Sequence, residues 1–478
     1  MFFNSIDFAI FLPIVLVVYW IFKKKIHHQN SILLIASYFF YGSWDWRFLS
    51  LIFFSAVIDY SIGLIIHRTE DAIKRKLYLY VSIVANLGFL GFFKYYNFFL
   101  ENFIELFSFA GISFDSTTLS IILPVGISFY TFQTLSYTID IYKGRLKPTK
   151  DFIAFASFVS FFPQLVAGPI ERASNLLPQF SRKRVVTYAK ILSGVNDLIW
   201  GLFMKVVIAD RLAPVVNEIY NYPKEYSGFV LVFGTVLFAF QIYCDFAGYS
   251  KIAIGVAKLF DFELMKNFDT PYFSKSLSEF WRRWHISLST WFRDYVYIPL
   301  GGNRTSKTRW YINIFTVFIL SGFWHGAQWT FIIWGAIHGL GLIIEASVKY
   351  RFKESRLINV LRQFWIFLII CLGWVFFRSN SLSDAFYIIK SIFNPLNYSI
   401  NSFSLNMIPI EKNTVYPIDV ALSIVVILML LFIEFWIKNK VKFHQMNFAV
   451  RTVLYVSGIW LIYVIGAFEK NEFIYFQF

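Results

Sequence analysis

The chain has 478 residues, of which 57% are hydrophobic and 21% aromatic, and its mean hydropathy is +0.57. A soluble domain of this length could not bury so much apolar surface, so the composition excludes a soluble protein and indicates a multi-pass membrane protein. The formal net charge is +15, but Lys and Arg cluster in loops between apolar runs, which favours topology signals and contacts with anionic lipid over nucleic-acid binding.

Apolar runs long enough to cross the bilayer recur along the whole chain, since a spanning helix needs about 20 apolar residues. They are residues 6–22, 48–66, 77–95, 119–139, 191–209, 228–245, 329–348, 357–377, 420–437 and 448–467. Shorter apolar pieces, which predict tilted or re-entrant helices, are residues 32–44, 152–165, 252–260 and 311–323. Such helices need a surrounding protein or cavity. We therefore expect one all-α membrane domain over residues 1–478, with about 10–12 transmembrane helices and partial helices around a central tunnel.

Basic clusters predict the orientation of the chain, because Lys and Arg concentrate in cytoplasmic loops. The clusters are residues 23–25, 74–76, 143–150, 182–184, 304–309, 349–356 and 438–442. They predict an extracytoplasmic N-terminus, a cytoplasmic loop around His285 and an extracytoplasmic polar loop at residues 394–417. The first apolar run lacks the basic start and cleavage site of a signal peptide, so we expect it to stay as a membrane helix.

Several kinds of site are not indicated by the sequence. Cys244 and Cys371 lie in apolar runs and form neither a disulfide framework nor a zinc pattern. The chain has no phosphate-binding Gly-rich loop with Lys, no His-Glu-x-x-His motif and no Gly-x-Ser-x-Gly motif. We therefore predict no metal site and no ATP hydrolysis by this chain.

Residues 276–293 have the pattern of one amphipathic helix. Ser276 and Glu279 match the capping box that begins a helix. Its basic residues are Arg282, Arg283 and Arg293. Spacing of four residues would put three side chains on one helix face: Trp281, His285 and Ser289. A Trp- and Arg-rich helix suits the membrane interface, so an anchor in which His285 only hydrogen-bonds a neighbour stays open beside a functional role.

The following segment, residues 294–304, contains Pro299 and a pair of glycines, which predict that the helix ends in a turn. The turn is either a plain connector or a flexible backbone that approaches a phosphate-bearing donor beside Asn303 and Arg304. The residues alone leave both interpretations open.

Residues 321–338 combine short apolar pieces with two histidines, His325 beside Trp324, and His338. Their glycines are Gly322, Gly326 and Gly335, and small residues of this kind let membrane helices approach closely. An ionisable residue at membrane depth is a functional candidate, because hydrocarbon offers no water to solvate it. A neutral imidazole there can take the proton from an attacking hydroxyl. A structural hydrogen bond is the alternative for both histidines.

Two further segments carry polar residues within apolar surroundings. Asp245 stands near the end of an apolar run in residues 241–250, where it lines a cavity or pairs with a nearby Arg. Residues 162–172 are interrupted by Pro and Gly, which indicates either a cavity lining or a tight turn.

Taken together, these motifs resemble the membrane-bound O-acyltransferases, and among them the bacterial alginate O-acetylase branch. The resemblance is carried by residues 241–250, 279–304 and 323–328, and it extends to residues 136–142, 166–170 and 473–478. It implies an all-helical fold with a tunnel through the membrane, a catalytic core at about residues 120–345, and a location in the inner membrane of a bacterial cell.

The resemblance also implies roles for individual residues. The near-invariant His of the family corresponds to His325, and its second active-site position corresponds to His285, so both are expected to be catalytic. Residues expected to contact substrate or to line the tunnel are Trp281, Arg282, Arg283, Trp324, Asp245, Asn303, Arg304 and His338.

The function implied by the resemblance is transfer of an acyl group, expected to be acetyl, towards hydroxyls of an extracytoplasmic polysaccharide. The donor is expected to be a cytoplasmic thioester, either acetyl-CoA or a carrier-bound acyl group, with no tightly bound cofactor. Expected partners are membrane lipids, the polysaccharide acceptor and an extracytoplasmic acetyltransferase or esterase-like protein that completes the transfer, and no nucleic acid. The rival interpretation is a transporter or channel for an anionic metabolite or acyl donor, with the histidines as proton relays.

Overall fold

The computed structural model describes residues 1–109, 111–112, 118–166, 168–348, 355–398, 417–438, 447–468 and 473–474. The regular structure in these residues is helical, with no strand, and the predicted all-α fold is confirmed. Four stretches named above lie mostly outside the described residues. They are the basic clusters 349–356 and 438–442, the polar loop 394–417 and the stretch 473–478.

Within these ranges, six helical segments are long and apolar enough to cross a membrane. They are Ile26–Arg68, Ala72–Phe109, Tyr188–Asn221, Gly228–Leu259, Trp329–Ser347 and Arg356–Arg378. Shorter apolar helices are Ile6–Ile21, Phe152–Leu165, Val420–Trp436 and Thr452–Ile465. The chain is thus a multi-pass membrane protein, whereas the total number of crossings and the central tunnel stay predictions.

Large apolar side chains on the surface agree with a hydrocarbon surrounding. Along the first helix, Ile10, Ile14, Val17 and Ile21 are each more than half exposed, and they recur at helical spacing. A soluble protein rarely leaves such a continuous apolar stripe in contact with water, whereas lipid chains solvate it.

By its internal contacts the chain divides into two compact units, the first made of Met1–Leu198 and Ile252–Met265. Its helices are α1 (Ile6–Ile21), α2 (Ile26–Asp45), α3 (Leu49–Arg68), α4 (Ala72–Leu90), α5 (Tyr96–Phe109), α6 (Ile127–Tyr142), α7 (Phe152–Ser160), α8 (Phe162–Leu165), α9 (Ala173–Leu176) and the first part of α10 (Tyr188–Leu202). A buried network joins α3 to α4: Asp59 accepts from Ser82 Oγ (2.6 Å) and from Asn86 Nδ2 (2.8 Å). Hydrogen bonds of this kind hold helices together inside a membrane.

The second unit is made of Ile199–Lys251 and Lys266–Phe478. Its helices are α11 (Asp210–Asn221), most of α12 (Gly228–Leu259), α13 (Leu277–Arg283), α14 (Ile286–Phe292), α15 (Lys307–His325), α16 (Trp329–Ser347), α17 (Arg356–Arg378), α18 (Leu382–Phe393), α19 (Pro417–Lys438) and α20 (Phe448–Ile465). Every histidine proposed for the chemistry belongs to this unit. That the whole chain forms a single domain stays a prediction.

Several helix boundaries differ from those predicted. The piece 32–44 lies within the longer helix α2, and the piece 152–165 is divided into α7 and α8. The helix predicted over 119–139 begins at Ile127, because Pro124 has no N–H to donate and Gly126 has a left-handed φ of 77°. The runs 228–245 and 252–260 form one continuous helix, α12, and the short piece 311–323 lies within the longer helix α15. Polar residues inside these two helices interrupt the apolar pattern without ending the helix, so the periodicity underestimates their length.

Candidate active site

The stretch 276–293, predicted as one helix, forms two short helices, α13 and α14, with Trp284 and His285 between them. Trp284 is extended, and His285 has the left-handed backbone angles φ 43° and ψ 54°. A left-handed residue cannot continue a right-handed helix. The prediction that Trp281, His285 and Ser289 share one helix face is therefore wrong, and the break sets the orientation of His285.

The beginning of α13 agrees with the prediction. Ser276 Oγ accepts a hydrogen bond from the backbone N–H of Glu279 (3.0 Å). The Glu279 carboxylate accepts from the N–H of Lys275 (2.8 Å), one residue earlier than in an ideal capping box. The Glu345 carboxylate on α16 accepts from the N–H of Leu277 (2.7 Å), so the first turn of α13 is tied to α16.

Asn267 holds the break between α13 and α14. Its backbone carbonyl accepts from the N–H of Ile286 (2.9 Å), and its Oδ1 accepts from the N–H (3.2 Å) and the Oγ (2.9 Å) of Ser287. The same Oδ1 lies 3.1 Å from His285 Nδ1, and Asn267 Nδ2 donates to Ser250 Oγ (3.1 Å) on α12. These contacts offset the cost of the left-handed backbone at His285. Sequence reasoning missed Asn267 and Ser287, because nothing in their local sequence marks them.

His285 is buried, with 1% of its surface exposed. Its ring centroid lies 4.6 Å from that of Phe246, 6.4 Å from Phe268 and 6.0 Å from Trp324. The residue lies outside the six spanning segments, and burial lowers its pKa to about 3, since removal from water disfavours the imidazolium ion. His285 is therefore neutral at physiological pH.

His325 is the last residue of α15 and is also buried, with 3% exposed. The rings of Trp324, Trp334 and Phe377 lie around it, at centroid distances of 5.0, 5.0 and 5.3 Å. The centroids of His325 and His285 are 6.5 Å apart. Two histidines from different segments of the sequence thus meet in one buried aromatic shell.

Two glycines let α15 and α16 approach closely near His325. A Cβ on Gly322 would lie 2.2 Å from the carbonyl oxygen of Phe331, and a Cβ on Gly335 would lie 2.3 Å from that of Phe318. Both distances are far below van der Waals contact, so only a residue without a side chain fits there. The expectation that the glycines of residues 321–338 bring helices together is confirmed.

Replacing Gly322 with Ala is expected to lower the stability of the protein by about 1–3 kcal/mol, the usual cost of overpacking a close-packed interior. Thermal unfolding in detergent measures this effect. Gly88→Ala on α4 is the matched control, because a Cβ there would meet no atom within 4 Å, and it should not lower the melting temperature. Equal melting temperatures for Gly322→Ala and the wild type would contradict the close approach of α15 and α16.

His338 lies on α16 and is completely buried. Trp334 contacts both this ring and that of His325, at centroid distances of 5.1 and 5.0 Å. Trp281 packs at a right angle on His338 (5.0 Å). Among the described residues neither ring nitrogen of His338 has a hydrogen-bond partner, and a Cβ on Gly373 of α17 would lie 2.7 Å from its Nε2. The structure therefore brings Trp281 and His338 together, one indole ring away from His325.

Asp245 on α12 is paired with a lysine, where the sequence suggested an arginine. Its Oδ1 lies 2.7 Å from Lys205 Nζ, which also lies 2.7 Å from Asp210 Oδ1. Its Oδ2 accepts from the N–H of Ile474 (2.7 Å). All three charged side chains are buried, and pairing with further hydrogen bonds is what lets such charges stay away from water. That Asp245 lines a substrate path stays a prediction.

The predicted turn after α14 is confirmed. Gly301 and Gly302 have φ values of 105° and 56°, which L-residues rarely adopt. Asn303 and Arg304 follow this turn and are exposed. They are therefore accessible to a soluble or membrane-surface ligand.

The basic residues of α13 differ in their surroundings. Arg282 is exposed, whereas Arg283 is half-buried and its Nη2 lies 2.7 Å from Glu279 Oε1. The positive charge of Arg283 is therefore partly neutralised within its own helix, and Arg282 is the more accessible of the two to an anionic ligand.

A cavity of about 280 Å³ lies in the same unit. Its polar and aromatic lining residues include Trp281, Ser289, Arg293, Tyr297 and Ser321. Ser289 follows His285 by four residues, and Ser321 lies one helical turn before His325 on α15. The cavity is otherwise mostly apolar, which suits a slender, largely uncharged chain with a few hydrogen-bonding groups.

Comparison with known proteins places these motifs in a family. The model of the membrane-bound O-acyltransferase family matches residues 146–383. A probable alginate O-acetylase from Azotobacter vinelandii is 40% identical over 82% of this chain and 77% of its own length. One from Pseudomonas aeruginosa is 41% identical over 82% of this chain and 74% of its own length. A peptidoglycan O-acetyltransferase from Helicobacter pylori is 34% identical over 98% of this chain and 95% of its own length.

Proposed function

Since the chain belongs to the membrane-bound O-acyltransferase family and is an O-acyltransferase, we propose that it moves an acetyl group from a cytoplasmic thioester towards hydroxyls of an extracytoplasmic polysaccharide. The observation that carries this proposal is the pair of buried imidazoles, His285 and His325, with ring centroids 6.5 Å apart. Two buried imidazoles in a water-poor aromatic shell are suited to moving protons between an alcohol and a thiol.

His325 is the proposed general base. Its ring takes the proton of the acceptor hydroxyl while the hydroxyl oxygen forms a bond to the thioester carbonyl carbon. The carbon–sulfur bond then breaks, and the imidazolium returns the proton to the departing thiolate, so that an ester and a thiol are the products. His325 lies at the carboxyl end of α15, where the backbone carbonyls favour a positive charge.

His285 is the proposed second imidazole, nearer to the cytoplasmic side. Because burial keeps it neutral, it can accept a proton without first losing one. The aromatic shell around the pair excludes bulk water, which limits loss of the thioester by hydrolysis.

The donor is proposed to be an anionic thioester, acetyl-CoA or an acyl group on a carrier. The cavity beside Ser289 and Ser321 has a mostly apolar lining suited to the linear arm of such a donor. The exposed charges of Arg282 and Arg304, and the partly neutralised charge of Arg283, are proposed to attract its phosphate groups. Further residues proposed to contact substrate or to line its path are Trp281, Trp324, Asn303, Asp245 and His338. No tightly bound cofactor is proposed.

The proposed acceptor is inferred from the proteins to which this chain is similar. Proteins similar to this chain are named for O-acetylation of alginate and of peptidoglycan, so we propose a hydroxyl-rich cell-surface polysaccharide as the final acceptor. An extracytoplasmic acetyltransferase or esterase-like protein is the proposed partner that completes the transfer, and lipids of the bacterial inner membrane surround the chain. From the basic clusters we propose that the His285 loop faces the cytoplasm and that the N-terminus lies outside.

Sealed membrane vesicles of both orientations test the donor side. Acetyl-CoA or an acetylated carrier protein, each with a radiolabelled acetyl group, is expected to lose its label with inverted vesicles, which expose the cytoplasmic face. Right-side-out vesicles with the same amount of protein are the control and should leave the donor intact. Turnover only with right-side-out vesicles would contradict the proposed direction, and turnover of neither donor in either orientation would contradict the proposed donor class.

A further inference from the structure

The side chain of Asn267 faces one of the two ring nitrogens of His285, Nδ1. The side-chain atom that faces His285 also receives the backbone N–H of Ser287 (3.2 Å), a group that can only donate, so this atom is the amide oxygen. His285 Nδ1 lies 3.1 Å from that oxygen and 3.4 Å from Ser287 Oγ. Because the Ser287 hydroxyl donates to the same amide oxygen (2.9 Å), its lone pairs are left for Nδ1, and Nδ1 is the donor in both contacts. A neutral imidazole has one N–H, and its remaining lone pair therefore lies on Nε2.

We propose that Asn267 is a positioning residue for acyl transfer, which holds His285 in the tautomer whose Nε2 accepts protons. This inference rests on the proposed role of His285 in the reaction. The amide itself is fixed, because Asn267 is 1% exposed and its Nδ2 donates to Ser250 Oγ (3.1 Å). Hydrogen bonds that orient a functional imidazole through its second nitrogen are a common way to fix both its tautomer and its direction.

The partner of His285 Nδ1 is a neutral amide. Because an amide carries no negative charge, it does not favour the imidazolium ion, and His285 stays uncharged. The elements packed against His285 carry other charged or titratable groups, which include Tyr243, Cys244, Asp245, Tyr249 and Lys251 on α12, Lys266 and Asp269 beside Asn267, Arg282 and Arg283 on α13, and His325 on α15. Asp245 pairs with Lys205 (2.7 Å), and Lys266 pairs with Asp269 (2.6 Å). A carboxylate in place of the Asn267 amide would face Nδ1 directly and would stabilise the imidazolium ion.

The tautomer of His285 is measurable without any activity assay. Nitrogen-15 NMR of protein with labelled histidine, compared with the same spectrum of His285→Asn to assign the signal, reports which ring nitrogen carries the proton. We expect the Nδ1–H form for the wild type. The Nε2–H form in the folded wild-type protein would overturn the positioning role, whatever the protein catalyses.

Asn267→Asp tests the same role through the pH dependence of turnover. The base form of His285 is present above its pKa and is lost as the pH falls through that value. Since a nearby opposite charge raises the pKa of a histidine, we expect the acid limb of the kcat profile to move to higher pH by about 1–3 units. Asn221→Asp adds the same charge at an exposed position at the end of α11 and should leave the profile unchanged.

Asn267→Ala is expected to reduce kcat by about 10–100-fold with little change in the KM for the thioester. The backbone carbonyl of residue 267 can still accept from Ile286, whereas the side-chain contacts with His285, Ser287 and Ser250 are lost. A wild-type pH profile in folded Asn267→Asp, or a kcat loss in Asn267→Ala that only follows the amount of folded protein, would overturn the inference while leaving the proposed function in place. A wild-type protein that turns over no thioester would contradict both.

Discussion

Replacing His325 with Gln is expected to reduce acyl transfer by about 10²–10⁴-fold, the usual contribution of a general base. Gln fills similar space and forms hydrogen bonds, but it takes up no proton near neutral pH. The choice of Gln matters because His325 is 3% exposed within a shell of tryptophan and phenylalanine rings, and a smaller residue would leave a cavity there. The measurement is the content of acetyl esters in cell-surface polysaccharide from cells that carry only the variant.

His67→Gln is the matched control for this experiment, because His67 is exposed near the end of α3. We expect both variants to reach the membrane at the wild-type level, and only His325→Gln to lose acetyl esters. Normal acetylation in His325→Gln would show that the base is another group.

Replacing His285 with Asn is expected to reduce turnover by about 10²–10⁴-fold, similar to the effect expected for His325→Gln. His285 has a left-handed backbone with φ 43°, and Asn adopts this conformation more readily than most residues. The substitution therefore removes the imidazole while keeping the break between α13 and α14. The measurement is the rate of thioester turnover by purified protein, together with its melting temperature.

Thr270→Asn is the control for the change at His285, because Thr270 also has a left-handed backbone, with φ 42°, but lies outside the aromatic shell. It should retain both turnover and stability. If His285→Asn keeps the turnover rate per folded molecule and loses only stability, the role of His285 is structural.

The sequence predicts the class of fold because hydrophobicity alone decides it. Long apolar runs become helices, Ser276 caps α13, and the paired glycines Gly301 and Gly302 form a turn. Each of these features depends on residues that are close together in the chain. The close contact between α15 and α16 at their glycines is also predictable from the sequence, because small residues in membrane helices commonly mark helix–helix contacts.

The sequence does not predict the break at His285, because its cause is distant in the chain. The apolar pattern continues through residues 276–293 as though one helix were formed. The break depends on Asn267, whose carbonyl oxygen and side chain hold Ile286 and Ser287 from 18 or more positions away. Contacts between segments override local propensity in this way, and a single sequence gives no sign of them.

The partner of Asp245 is a similar case. A carboxylate near a basic loop suggests an arginine partner, but the structure pairs it with Lys205, from a π-helical stretch, Phe203–Ala209, that continues α10. The wider helical turn places the lysine between Asp210 and Asp245. Hydropathy treats Lys205 as an interruption of an apolar run and so gives no indication that it is a buried counter-ion.

A single-turnover experiment with purified protein tests the role of His325 in acyl transfer most directly. Enzyme in excess is mixed with a radiolabelled acetyl thioester and a hydroxyl acceptor, and the label that reaches the acceptor is followed over time for the wild type and for His325→Gln. We predict transfer by the wild type and a rate at least about 10²-fold lower for the variant. Equal rates for the two proteins would contradict the assignment of His325 as the base.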